Sequence, residues 1–237
     1  MTKTVKERVA QYAVETLVKS GMNIGLGTGS TAIHAIRYIG LLLKQGILTN
    51  IRAVSTSFQS MLECEAWNIP LYTLNSPDIN GILDLSIDGA DEVDTQNRCI
   101  KGGGGALLSE KIIAYNSRKY ALIIDEYKTV EHLGLVFPVP IEIIPEARVP
   151  VMQALEQFDM TVSLREAVRK AGPVITDHGN IILDATLKKV SDPNTLELAI
   201  NRIPGVIENG FFTRIRPTVF IGHSDTVEKR EKIEKTE

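Results

Sequence analysis

Carboxylates, a lysine and a run of glycines crowd one short region of this chain, a mixture suited to moving protons beside a carbonyl group. The stretch KGGGGALLSEK (101–111) sets four consecutive glycines, Gly102 to Gly105, between Lys101 and Glu110. Glycine packs nothing and costs backbone entropy, so a run of them needs a purpose. With no Cβ in the way, backbone N–H groups can approach a polar or anionic ligand. On a helical wheel over Ala106–Ala114, Glu110 falls between Ala106 and Ala114, beside Leu107, on the apolar side. Ser109 and Lys111 point elsewhere. Desolvation moves a carboxylate at such a position toward the strength of a useful base. The alternative is a first-turn glutamate that only complements the helix dipole.

Three further clusters bear on this chemistry. In IDGADEVD (87–94), Asp88, Asp91, Glu92 and Asp94 follow a strand. Close carboxylates disfavour each other's ionised forms, and such a pair can move protons near neutral pH. Asp88 and Asp91 would face one pocket across Gly89 and Ala90, leaving Glu92 and Asp94 to solvent. An acidic surface turn and a magnesium site are the other readings. GLGTGSTA (25–32) places Thr28, Gly29, Ser30 and Thr31 between a strand and a helix. Free N–H groups at a helix start attract anions. No lysine follows the last glycine as in a Walker loop, and no acidic residue ends the next strand as in a dinucleotide fingerprint. A phosphomonoester fits better than a nucleotide, and a plain capped strand–helix turn is the alternative. STSFQS (55–60) reads first as a helix cap. Lys128, the last residue of IIDEYK (123–128) and just past a strand end, either completes a phosphate site or is an ordinary surface lysine.

The elements that must hold these residues alternate. Strands are expected at 22–27, 51–55, 69–74, 83–88 and 120–125, and helices over the first 18 residues and through TAIHAIRYIGLLLKQG, FQSMLECEAW and ALLSEKIIAYNSR. Such alternation argues for an open, mostly parallel α/β sheet with helices on both faces, which gathers ligands beyond the carboxyl ends of its strands. The four prolines of GLVFPVPIEIIPEARVP mark a boundary. Beyond it, strand 139–144, helix 147–158, strands 161–165, 173–176 and 180–184, and helix 193–202 suggest a smaller α+β (ferredoxin-like) domain, with ITDHGNIIL as a hairpin. The expected division is 1–133 with 208–237, and 134–207. VIENGFF and TVFIG are expected to return to the first sheet, and KREKIEKTE to be a solvated end.

Composition narrows the class. The 237 residues are 43 % hydrophobic and 23 % charged, ordinary for a globular protein, and the net charge of −3 makes no case for nucleic acid or a membrane surface. Cys64 and Cys99 form no CxxC pair, and the four histidines have no ligand spacing. A reduced, cytoplasmic protein without structural zinc is the expectation. No N-terminal apolar run suggests a signal peptide or a membrane span. A phosphate cradle, paired carboxylates, a desolvated glutamate and a lysine, with no redox or metal motif, suit proton abstraction beside a carbonyl. Isomerisation of an aldose phosphate needs those parts. An amino-sugar-phosphate deaminase, a sugar-phosphate sensor and a coenzyme A transferase are the rivals.

GLGTGSTA, DGADEVD, KGGGGALLSEKI and IIDEYK, in this order and spacing, resemble the type A ribose-5-phosphate isomerases, as do EIIPEAR and VITDHGNIILD further on. The resemblance implies interconversion of D-ribose 5-phosphate and D-ribulose 5-phosphate in the pentose phosphate pathway, without cofactor or metal, by a homodimer or tetramer. It implies Glu110 as the base between C2 and C1, and Asp88, Asp91 and Lys101 for ring opening and the enediolate oxygens. Thr28, Gly29, Ser30, Thr31, Asp88, Gly89, Ala90, Asp91, Lys101, Gly102, Gly103, Gly104 and Lys128 would bind substrate. A basic residue near the N-terminus often helps hold phosphate in this family, and Lys3, Lys6 and Arg8 all compete for that role. Gly105 stands where family members often carry alanine, which would loosen the helix start.

Overall fold

The computed structural model describes residues 3–231. In chain order the first elements are α1 (Val5–Leu17), β1 (Asn23–Leu26), α2 (Ala32–Lys44), β2 (Arg52–Ser55), α3 (Phe58–Ala66), β3 (Leu85–Asp88), β4 (Glu92–Val93), β5 (Cys99–Ile100), α4 (Leu107–Tyr115) and β6 (Tyr120–Asp125). There follow β7 (Val139–Ile143), α5 (Arg148–Glu156), β8 (Met160–Leu164), β9 (Ile181–Leu187), α6 (Pro193–Ile200), β10 (Val206–Asn209), β11 (Phe211–Phe212), β12 (Thr218–Gly222) and β13 (Val227–Arg230). The chain divides into two compact units, one of residues 1–90, 109–128 and 215–237, the other of residues 91–108 and 129–214.

The first unit is built on a six-stranded sheet in the order β13-β12-β6-β3-β1-β2, parallel except for the β12–β13 hairpin. Its inner strands are buried on both faces and so read as unbroken apolar runs; every residue of β6 (YALIID) is buried. Helices cover both faces. Ile24 and Leu26 pack with Val9 and Ala13 of α1 and Ile36 and Ile39 of α2. Gly25, between them, faces the other way, where a Cβ would meet Ile113 of α4 at 2.4 Å. Thr4 starts α1 with a reciprocal capping box to Glu7. Ser57 does the same for α3 with Ser60, so STSFQS is a cap as expected. Gly40 lets Trp67 close on α2, since a Cβ there would meet the Trp67 Cβ at 2.6 Å.

The second unit has a four-stranded antiparallel sheet in the order β10-β7-β9-β8. Its chain order β7-α5-β8-β9-α6-β10 is the ferredoxin-like βαββαβ pattern. Val139, Ile141 and Ile143 of β7 pack with Val151 and Leu155 of α5 and Leu196 and Ile200 of α6. A small sheet, β11-β5-β4, belongs to the same unit. Cys64 and Cys99 are buried and not disulfide-bonded.

Several expectations need correction. Residues 69–74 form no strand: Leu71 makes a single bridge to Ala53, and the preceding Pro70 has no N–H to extend the ladder. Residues 173–176 make only the bridges Glu166–Pro173 and Ile175–Ile181, so the expected hairpin supplies one strand, β9. TVFIG does join the first sheet as β12, but VIEN pairs with β7 and Phe211–Phe212 with β5. Of KREKIEKTE, the first two residues end β13, and 232–237 lie outside the described residues.

Candidate active site

In the first unit the candidate residues stand at the carboxyl ends of β1, β3 and β6, adjacent parallel strands. The chain leaves β1 for β2 on one side and returns to β3 on the other, so this is the reversal point at which open sheets bind ligands. Asp88, ending β3, is 3 % exposed, and its Oδ1 accepts from Thr28 N–H at 3.0 Å and Gly89 N–H at 2.7 Å. The approach demands glycine at 27, where a Cβ would lie 2.1 Å from Asp88 Oδ1 and 2.6 Å from Asp88 Cα. Thr28 Oγ1 bonds the hydroxyls of Thr56 at 2.7 Å and Ser57 at 2.6 Å, and Gly29, at φ +102°, donates to Gln59 Oε1 at 2.8 Å. Thr31 is buried and makes no side-chain cap, although it occupies the cap position of α2. The Lys128 ammonium donates to the carbonyl of Ala90, holding the turn after β6 to the turn after β3.

The N-terminal basic residues are separated by their contacts. Lys6 Nζ donates to Ser30 Oγ at 2.9 Å. Arg8 donates to the carbonyl of Ser224, and Lys3 to Gln11. Only Lys6 of the three reaches the Thr28–Thr31 loop.

Glu110 stands in the first turn of α4, a helix of the residues Leu107–Tyr115, and is 5 % exposed. Ala106, Leu107 and Ala114, its expected neighbours on the wheel, are buried as well. A carboxylate at such depth is uncommon without a role in pairing or chemistry. Lys111 differs from expectation: it too is buried, with Nζ 5.9 Å from the centre of the Tyr115 ring. Long lysine side chains can be buried along their stems, which a wheel drawn from residue types does not register.

In the second unit, Asp91 Oδ2 accepts from Gly103 N–H at 2.8 Å. A Cβ on Gly103 would meet Asp91 Oδ1 at 2.7 Å. Lys101 is 2 % exposed, with Nζ 5.9 Å from the Phe212 ring centre and its N–H on the Gly210 carbonyl. Gly102 is buried at φ +104°, and Gly103 and Gly104 are exposed. Gly105 sits at φ +81°, a conformation that favours glycine, so the fourth member of the run suits the backbone rather than loosening it.

Glu92 and Asp94, expected in solvent, are 3 % and 1 % exposed. Glu92 accepts from the N–H groups of Gly134 and Phe137, both at 2.8 Å. Asp94 accepts from the N–H groups of Gln96 and Arg98 and pairs with Arg98 Nε at 2.6 Å. They tie loops of the second unit together. Among the described residues no group of three or more His, Cys, Asp or Glu side chains is placed to hold a metal ion, and no helix is long and apolar enough to cross a membrane.

The chain is similar to known proteins over most of its length. Residues 52–226 match the family model described as ribose 5-phosphate isomerase A (phosphoriboisomerase A). Ribose-5-phosphate isomerase A of Treponema denticola is 53 % identical over 231 residues, covering 94 % of this chain and 97 % of that protein. The enzyme of Thermococcus kodakarensis is 43 % identical over 228 residues, covering 96 % and 98 %. Among solved structures, ribose 5-phosphate isomerase A from Methanocaldococcus jannaschii superposes with a TM-score of 0.89 at 42 % identity, over 95 % of this chain and 97 % of that one. A D-ribose-5-phosphate isomerase in complex with phospho-erythronic acid gives 0.91 at 41 % identity, over 97 % and 99 %.

Proposed function

The chain belongs to the ribose 5-phosphate isomerase A family, enzymes that interconvert ribose 5-phosphate and ribulose 5-phosphate, and on that premise we propose that Glu110 is the base that carries the proton between C2 and C1. The C2–H bond of the open-chain aldose is acidified by the C1 carbonyl. Removal of that proton leaves an enediolate with its charge on O1; transfer of the O2 proton to O1 and return of the carbon-bound proton to C1 give the ketose. One carboxylate on one face of the enediolate serves both transfers. The observation that carries the reading is a glutamate 5 % exposed in the first turn of the helix that follows the glycine run.

The remaining roles follow from charge and hydrogen-bonding capacity. Lys101 supplies positive charge to the oxygens of the enediolate. Asp88 and Asp91 exchange protons with the sugar hydroxyls during ring opening. Backbone amides of Gly102 and Gly104 donate to the same oxygens, and the Gly103 amide contributes through Asp91, which it holds. Thr28, Gly29, Ser30 and Thr31 bind substrate through hydroxyls and N–H groups, with Lys6 and Lys128 contributing charge to the phosphate. Gly89 and Ala90 line the turn that Asp88 and Lys128 hold. The reading uses no cofactor and no metal. It further puts the enzyme in the cytoplasm, in the non-oxidative branch of the pentose phosphate pathway, as a homodimer or tetramer.

The test is incubation with ribose 5-phosphate in EDTA-treated D2O buffer. Ribulose 5-phosphate carrying solvent deuterium at C1 is expected. Loss of all turnover after metal removal would overturn the metal-free reading, and turnover with no deuterium under any condition would favour a hydride shift over a proton-transfer base.

A further inference from the structure

Arg165, the residue after β8, holds the glycine run from behind. Its Nε donates to Asp184 Oδ2 of β9 at 2.8 Å, and its Nη2 donates to Asp184 Oδ1. The third nitrogen, Nη1, donates to two carbonyls, Gly102 O at 2.8 Å and Gly103 O at 3.1 Å. The side chains are 15 % and 20 % exposed. A guanidinium held bidentately by a carboxylate cannot swing, so its remaining donor occupies one place.

That place dictates where the loop's amides point. In a trans peptide the C=O of one residue and the N–H of the next lie on opposite sides of the same plane, and the described residues hold no cis peptide. With the carbonyls of Gly102 and Gly103 converging on Nη1, the N–H groups of Gly103 and Gly104 are turned away from Arg165. Gly103 shows the result, since its N–H meets Asp91 Oδ2 at 2.8 Å. The Gly102 carbonyl also accepts from Gly105 N–H at 2.9 Å, closing the turn. Four glycines left to themselves are the least ordered backbone a chain can offer, because glycine loses more conformational freedom on folding than any other residue. An anchor is therefore needed wherever such amides must be ready before substrate arrives. Asp184 neutralises the Arg165 charge, so the contribution is orientation rather than field.

We infer that Arg165 is the positioning residue of the glycine loop, locked by Asp184, and that it sets the Gly103 amide on the Asp91 carboxylate and the Gly104 amide for the oxygens of the developing enediolate. This rests on the reading that the loop binds substrate. Lysine cannot reproduce the fork. Misaligned oxyanion donors cost rate more than ground-state affinity.

The experiment compares Arg165→Lys and the milder Asp184→Asn with wild type in kcat, KM, melting temperature, and inhibition by phospho-erythronic acid and by inorganic phosphate. The carboxylate of that sugar acid stands in for the enediolate oxygens. Folded Arg165→Lys should lose about tenfold or more in kcat, with KM within about threefold. Its inhibition constant for phospho-erythronic acid should rise in parallel, while that for phosphate stays put. Asp184→Asn should move the same quantities in the same direction by less. A lowered melting temperature with wild-type kcat and inhibition constants in both variants would make Arg165 a strand anchor only and overturn the inference. Glu110→Gln, run alongside, separates the two claims: full turnover there removes the base assignment and leaves the Arg165 comparison standing.

Discussion

Replacing Gly27 with alanine inserts one methyl group directly against Asp88. The new Cβ would lie 2.1 Å from Asp88 Oδ1, 2.2 Å from Asp88 Cγ and 2.6 Å from Asp88 Cα. Ordinary contacts of these kinds are about 3.2–4 Å, so roughly 1 Å of movement is required. A rotamer change in Asp88 relieves only part of it, because the Cα is involved. The ends of β1 and β3, joined by Gly27 N–H to the Ile87 carbonyl at 3.0 Å, must themselves part. Overpacking of this kind costs about 1–3 kcal/mol. At about 2–4 °C per kcal/mol for a chain of this size, the melting temperature should fall by about 2–12 °C. The same shift moves the Asp88 carboxylate and the Thr28 amide it holds, and a misplacement of about 1 Å can cost on the order of 100-fold in rate. Calorimetry and a coupled ribulose 5-phosphate assay on the folded variant measure both. Gly89→Ala is the thermal control, since its Cβ would meet nothing closer than 3.9 Å. Wild-type kcat/KM and melting temperature for Gly27→Ala would refute the argument that Asp88 is seated by that glycine.

Lys6→Ala removes the ammonium 2.9 Å from Ser30 Oγ; a lost charge-assisted contact to phosphate should raise KM by about tenfold or more with kcat nearly kept. An unchanged KM in steady-state kinetics, with Lys3→Ala or Arg8→Ala raising it instead, would move the role elsewhere. Asp192 caps α6, and although burial pushes its carboxyl up, hydrogen bonds from Thr195 and Asn194 more than reverse this and hold it at about 2. Its contribution is therefore complete above the ordinary value of 3.8 and drains away as pH falls toward 2. Asp192→Ala should melt lower than wild type by about 2–4 °C, for a cap worth about 1 kcal/mol, at pH 5–7 with kcat unchanged, and the two melting curves should converge near the acid end. A gap that stays constant down to pH 2 would contradict the assignment.

The parts of this molecule legible in its sequence are those whose cause is local. Buried parallel strands such as YALIID announce themselves as apolar runs, and the burial of Glu110 follows from its place among Ala106, Leu107 and Ala114 on one helix. Two-residue strands like Glu92–Val93 and Phe211–Phe212 are too short to show a period. The burial of Glu92 depends on amides 42 and 45 residues away, at Gly134 and Phe137, and turn composition alone carries no trace of them. Arg165 is hidden for the same reason: its partners Gly102 and Gly103 lie 63 and 62 residues earlier. Lys3, Lys6 and Arg8 are equivalent in the sequence, and only the fold, through the contact of Lys6 with Ser30, distinguishes Lys6 from the other two.

The central claim is that the Glu110 carboxylate carries the proton, and turnover of Glu110→Gln measured beside its affinity for phospho-erythronic acid tests it most directly. Glutamine keeps the shape of the side chain and cannot accept the proton, so kcat should fall by about 10³-fold or more while the acid binds within about threefold of wild type. Turnover close to wild type in a variant that binds the acid normally would contradict the account.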